Sequence, residues 1–161
     1  MKAAIVYYSL SGNTSYVAEK VAAILTADRI PLVPVKAYPD SGFKKFFWGG
    51  KSALMGDKPA LEPYAFDPES YDLVIFGAPV WAGTFAPPLR TFMETNRSAL
   101  QGKRKAAFFC CSGGPGKVSD RFKAFLSPIQ LTQELILIDP KDKPTSKSEQ
   151  EIEAFCRALQ Q

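Results

Sequence analysis

The sequence predicts an α/β fold: a five-stranded parallel sheet, doubly wound, with helices on both faces so that three layers form, for which 2-1-3-4-5 is one of the common strand orders. Two observations predict it. Along all 161 residues, short apolar runs alternate with stretches whose apolar residues recur every three or four positions. Parallel strands cannot be joined by tight turns and need helical crossovers, which are right-handed. The chain also has no internal repeat, low-complexity tract or interdomain linker, so residues 1–161 read as a single domain with one core. A chain of this size buries roughly 70% of the surface it exposes when unfolded.

The first strand is "AAIVYYS", an apolar run suited to burial on both faces. After a polar turn, Val17, Val21, Ile24 and Leu25 recur at helical spacing, with Glu19 and Lys20 on the opposite side. "IPLVPVKA" reads as the second strand, and its prolines suit an edge, where a missing N–H costs no ladder bond. A helix over about residues 43–55 follows, with Phe43, Phe46, Phe47 and Leu54 expected on its core face, and then "LEPYAFDPESY" as a connecting loop. "YDLVIFGAPV" is the third strand, and "PPLRTFMETN" a helix whose prolines occupy the first turn, where no N–H is needed. "KAAFFCCS" is the fourth strand, followed by the helix "GKVSDRFKAFL" with Val118, Phe122 and Phe125 on one side. "QELILID" is the fifth strand, and Ser148 to Leu159 a closing helix with Ile152, Phe155, Cys156 and Leu159 at spacings of three and four.

Composition excludes several classes of chemistry. With 46% hydrophobic and 22% charged residues the chain reads as a soluble globular protein, and no apolar run approaches the ~18 residues that span a bilayer, so no membrane insertion is expected. No secretory pattern is visible at its start, which suggests a cytoplasmic protein with its native N-terminus. Three cysteines, two of them the adjacent Cys110 and Cys111, fit neither a disulfide framework nor a CxxC pair. The absence of His removes the commonest general base and zinc ligand together. Net charge is +4, but apart from Lys103, Arg104 and Lys105 the cations are scattered, so a solvated face is expected there and no nucleic-acid partner.

Ligands of doubly wound sheets bind beyond the carboxyl ends of the strands, where the winding reverses. Three such ends carry unusual turns, and the order 2-1-3-4-5 brings them to one crevice. The first, "SLSGNT", comprises Ser9, Leu10, Ser11, Gly12, Asn13 and Thr14. Helix-start amides, the helix dipole, a close-approach Gly12 and the hydroxyl and amide side chains make a cradle for a phosphate monoester that requires no Lys or Arg. Plain N-capping by Ser11 is the alternative. The second, "GAPVWAGT", offers Pro79, Val80, Trp81, Ala82, Gly83 and Thr84. A flat heteroaromatic ligand stacks on the indole while the amides of Val80 to Thr84 bond its edge, and Gly83 permits a peptide flip; alternatively Trp81 merely covers the core. The third, "CCSGGPG", exposes backbone donors at Ser112, Gly113 and Gly114, or is an ordinary turn, with Cys110 and Cys111 packed as buried thiols.

Competing motifs fail on chemistry. Gly116-Lys117 continues into Val118, with Cys111 where a Walker loop needs its first Gly. A receiver domain needs acidic Mg²⁺ ligands after the first strand, where this chain has Tyr8, Ser9 and Ser11. A cysteine phosphatase needs an Arg six residues past its nucleophile, where Gly116 and Lys117 stand. There is no Gly-x-Ser-x-Gly elbow, and without His no hydrolase triad.

Taken together, the three turns resemble the flavodoxin family over essentially the whole chain, including the lack of the long insertion in the fifth strand. The family's phosphate loop is matched by Ser9, Ser11, Gly12 and Thr14. The resemblance implies non-covalent FMN, with its phosphate at "SLSGNT", its ring against Trp81, and its pyrimidine side at Ser112 to Gly114. It also implies electron transfer, with a redox partner protein or small-molecule acceptor. Two departures bear on function. The third turn lacks the aromatic that usually covers the outer flavin face, and the chain is basic where flavodoxins are typically acidic. The first departure opens the alternative of an NAD(P)H-dependent flavin or quinone reductase, with NAD(P)H as a further ligand; a sensory module that has lost its flavin is a third reading.

Overall fold

The structure is a computed structural model that describes residues 1–39, 42–128 and 130–161, with the backbone alone for residues 42–47. In chain order the elements are β1 (Ala3–Tyr7), α1 (Asn13–Leu25), β2 (Asp28–Pro31), α2 (Gly42–Met55), β3 (Leu73–Trp81), β4 (Thr84–Phe85), α3 (Pro87–Thr95), β5 (Arg104–Cys111), α4 (Val118–Leu126), β6 (Gln133–Ile138) and α5 (Ser146–Leu159). The parallel sheet runs β2-β1-β3-β5-β6, which is the expected order 2-1-3-4-5 once the two-residue β4, paired antiparallel with β3, is set aside. Among the described residues six strands therefore stand where five were expected.

Alternation along the central strands separates two apolar layers. Ala4, Val6, Val74, Phe76, Ala107 and Phe109 face α3 and α4 through Leu89, Phe92, Met93, Phe122 and Leu126. Ala3, Ile5, Leu73, Ile75, Ala106 and Phe108 face α1 and α5 through Val17, Val21, Ile152, Phe155 and Leu159. A sheet covered on both sides needs apolar residues at every position of its central strands, which is why those strands read as unbroken apolar runs. Register across the centre is Ile5 to Ile75 to Ala106. Gly77 lies opposite Phe108, and a Cβ there would run into the Phe108 ring.

Four details correct the sequence reading. The second parallel strand is residues 28–31, not 30–37. Beyond it the chain leaves the sheet, and the Val35 N–H donates to the Ala60 carbonyl while the Glu62 N–H donates to the Val33 carbonyl. Leu54, expected in the core, is 60% exposed. The buried face of α2 is set instead by Gly49, Ser52 and Ala53, one position away on the helix wheel. The side chains of Phe43, Phe46 and Phe47 lie outside the described residues. Lys105, expected on a solvated face, is 4% exposed, and its ammonium donates to the Lys103 carbonyl, burial lowering its pKa. Finally, α5 begins two residues early because Thr145 closes a reciprocal capping box with Ser148.

No helix among the described residues is long and apolar enough to cross a membrane.

Candidate functional site

The winding reverses between β1 and β3, and the carboxyl ends of β1, β3 and β5 open there into a crevice of about 470 Å³. Of the residues expected at the site, Leu10, Ser11, Asn13, Thr14, Pro79, Val80, Trp81, Ala82, Gly83, Ser112, Gly113 and Gly114 line it. Ser9, Gly12 and Thr84 do not.

The first wall is the β1–α1 turn. Gly12 takes the N-cap position at φ +99°, a conformation only glycine adopts freely, so the alternative of a cap by Ser11 does not hold. The Ser9 hydroxyl accepts from the Ser15 N–H at 3.1 Å and holds the turn shut from behind. Among the described residues the N–H groups of Leu10 to Thr14 find no acceptor in the chain. Those orphan donors, at the positive end of α1, are what an anion requires. The Asn13 side chain is committed elsewhere: its Oδ1 accepts from the Lys141 N–H at 2.8 Å, and its Nδ2 donates to Asp142 at 2.9 Å. The Lys141 ammonium lies 3.5 Å from the Ser11 carbonyl and 3.0 Å from where a Gly12 Cβ would sit. A cation therefore does stand at a turn expected to have none.

The second wall is not a free loop. β3 continues through Trp81 and turns back into β4, with Trp81 opposite Thr84. Ala82 and Gly83 both have positive φ, +50° and +70°, the mark of a two-residue type I′ hairpin. Thr84 is buried by that pairing, which keeps it off the crevice. Trp81 is half-buried, covering the core on one side and lining the crevice on the other. Its ring meets Tyr8 at 5.6 Å and Tyr38 at 5.0 Å, edge-on in each case, and it also lines the crevice. Gly49 of α2 lies against the indole, where a Cβ would come within 3.2 Å. Burial raises the Tyr8 hydroxyl well above its ordinary pKa, with Tyr38 adding to the shift, so Tyr8 stays neutral beside the indole.

The third wall is the end of β5 and the turn after it. Side chains at Gly113 and Gly114 would meet nothing within 4 Å, so this side of the crevice is open. The turn is braced where it passes the hairpin. A Cβ at Gly116 would lie 2.6 Å from the Gly83 Cα, and Arg121 donates to the Ala82 carbonyl at 3.2 Å. The second and third walls are thereby packed backbone to backbone.

Sequence reasoning did not place Gly50, Cys110 and Cys111 on the lining, nor Lys141 beside the first turn. The Gly49-Gly50 pair inside a helix was the available signal, since two helix-weakening residues are retained where something must come close. Burial pushes the Cys110 thiol up to about 12, against a hydrogen bond with Thr14 that lowers it. Cys111 is raised in the same way, with Asp139 adding to the effect, and it donates weakly to the Leu137 carbonyl. Both are neutral thiols and poor nucleophiles, as expected of packed cysteines. No group of metal-ligating residues occurs among the described residues.

With that geometry in place, comparison with known proteins is specific. The family model described as Flavodoxin matches residues 2–150. Among solved structures, a flavoprotein in complex with FMN from Lactobacillus acidophilus NCFM superposes with a TM-score of 0.74 at 23% identity, covering 93% of this chain and 97% of that one. Two-electron reduced Megasphaera elsdenii flavodoxin gives 0.61 at 17% identity, covering 97% and 96%. Oxidised Flavodoxin 1 from Bacillus cereus gives 0.60 at 18% identity, covering 99% and 98%. None of the curated proteins compared matches the chain.

Proposed function

Because this chain belongs to the flavodoxin family, we propose that it holds FMN in the crevice and serves as an electron carrier, the whole of residues 1–161 acting as one cytoplasmic domain. One observation carries the reading. A single crevice joins uncommitted helix-start amides at one end to a half-buried Trp81 at the other, which is the donor set of a phosphate ester attached to a flat aromatic ring. FMN, when bound, supplies one- and two-electron transfer.

The chain's own residues do the rest. The amides of Leu10 to Thr14 would bind and orient the phosphate, which would fix where the ring lies. Trp81, Val80 and Leu10 give the ring an apolar surface and keep water from its inner side. Val80 through Gly83 line the crevice and would offer backbone groups to the ring. The neutral Tyr8, Cys110 and Cys111 place no extra charge nearby. A net charge of +4 favours a redox partner with an acidic docking face, by steering rather than by tight contact.

Reconstitution with FMN tests the proposal. A yellow one-to-one complex with quenched flavin fluorescence, reduced reversibly by dithionite, is expected. A protein that stays colourless with excess FMN overturns it.

The open side at Gly113 and Gly114 favours a second reading, an NAD(P)H-dependent flavin or quinone reductase. Anaerobic mixing with NADPH and with NADH separates the two. Prompt bleaching of the bound flavin supports the reductase, and inertness supports the carrier.

A further inference from the structure

We propose that Lys141 is a cationic ligand of the phosphate group, and that it makes the crevice select phosphorylated flavin over riboflavin. The inference rests on the FMN reading and deepens it.

The β6–α5 turn is a built structure. The Asp139 N–H donates to the Cys111 carbonyl at 2.9 Å, and the Lys143 N–H to the Asp139 carbonyl at 2.7 Å. Lys143 pairs its ammonium with the Asp139 carboxylate at 3.1 Å. Asn13 then clasps the turn from the first helical position of α1, accepting from the Lys141 N–H and donating to the Asp142 carboxylate. The two loops are thus joined at two points, and Lys141 is carried to the side of Ser11 and Gly12.

Charge accounting gives the clasp a purpose. Of the neighbouring acids, Asp139 is paired with Lys143, while Asp142 keeps its charge but is held by the Asn13 amide and makes no ion pair with Lys141. Among the described residues, no carboxylate lies within ion-pair distance of the Lys141 ammonium, whose sole polar contact is the Ser11 carbonyl at 3.5 Å. An ammonium without a counter-ion therefore stands beside a row of amides without acceptors. Both deficits are met by one dianion. Lysine suits the place, because its compact charge on a flexible stem reaches a phosphate oxygen without a fixed fork geometry. An uncharged ribityl end gains nothing from this arrangement, so the discrimination falls on the ester phosphate.

The experiment measures FMN, riboflavin and inorganic phosphate binding to the full chain, to Lys141→Met and Lys141→Arg, and to Lys147→Met as a control for net charge. Flavins are followed by fluorescence quenching and phosphate by calorimetry. Lys147 is an exposed residue of the first turn of α5 that pairs with Glu151. Lys141→Met is expected to weaken FMN about three- to tenfold, the range for one exposed charge-assisted contact, with riboflavin unchanged within about twofold. Lys141→Arg restores most of the loss, Lys147→Met changes neither flavin, and raising salt narrows the gap between wild type and Lys141→Met. Equal weakening of FMN and riboflavin overturns the proposal, since the residue would then only hold the turn. So does an equal effect of Lys147→Met, or no effect of Lys141→Met on FMN. A wild-type chain that binds neither flavin overturns the FMN reading instead. Phosphate then decides for Lys141: affinity that falls in Lys141→Met supports the assignment, and unchanged or absent affinity overturns it.

Discussion

Single residues are placed in this molecule by what cannot be added to them. Gly77 sits in the middle of a central strand where β-branched residues are preferred, yet the ring of Phe108 occupies the space of its missing side chain. Phe108 is fully buried and has no room to move. Gly77→Ala is therefore expected to destabilise the fold by about 1–3 kcal/mol, read as a lower urea midpoint at unchanged slope. At Gly12 the restriction is conformational, since φ +99° disfavours a Cβ while the exposed Lys141 chain beside it is free to shift. Trp81 shows the opposite case, a large residue whose position is dictated by small ones, with Gly49 permitting the approach of α2 to its indole.

Elements differ in how far local chemistry accounts for them. α3 starts with Pro87 and Pro88 at its first turn, and α5 with the Thr145–Ser148 capping box, so both N-termini follow from neighbouring residues. The β3–β4 hairpin does not. An Ala-Gly turn is an indifferent I′ sequence, because Ala82 at φ +50° carries a left-handed cost of about 1–2 kcal/mol. The turn is held by its surroundings, Gly116 against Gly83 and Arg121 on the Ala82 carbonyl. Ala82→Gly relieves the strain and forfeits about 0.4–1 kcal/mol of unfolded-state restriction, so a small net gain of roughly 0.5 kcal/mol is expected. A raised urea midpoint checks it. A lowered midpoint would mean that the Ala82 methyl packs to more effect than its backbone is strained.

At the scale of the whole molecule, the buried thiols link folding to pH. Burial raises Cys110 from its ordinary 9.0 to about 12 and Cys156 to about 11. Between those values the unfolded chain has released protons that the folded chain retains, so stability falls as pH rises. Each such thiol contributes a slope of about 1.4 kcal/mol per pH unit in its window, from about pH 9 to 11 for Cys156 and on to about 12 for Cys110. Urea unfolding from pH 8 to 11 should show the decline, and Cys156→Ala should flatten it while lowering stability at pH 8 through the cavity it leaves. An unchanged slope in that variant would show that other groups control alkaline unfolding. Both thiols lie in the apolar layer under α1 and α5, which is what keeps them from water.

How much of this was legible beforehand follows from the range of the interactions. Five apolar runs alternating with helical periods determined the parallel sheet, because burial on both faces leaves a signature at every position of a central strand, while its order came with the resemblance carried by the three turns. The polar turn at Ser9 to Thr14 was legible as the opening of a helix, since Ser, Gly, Asn and Thr after an apolar strand favour a helix start over a continued strand. The second strand was read two residues late, as its apolar Val33 and Val35 pair with residues 60–62 instead of joining the sheet. The approach of Gly49 to Trp81, of Gly83 to Gly116 and of Lys141 to Gly12 joins residues far apart in the chain. No local pattern encodes such contacts. Composition and spacing by themselves determined the fold and the place of the crevice. Only the tertiary structure decided which charges, rings and thiols stand at its walls, because close packing between distant segments depends on shape, which the period of apolar residues does not carry.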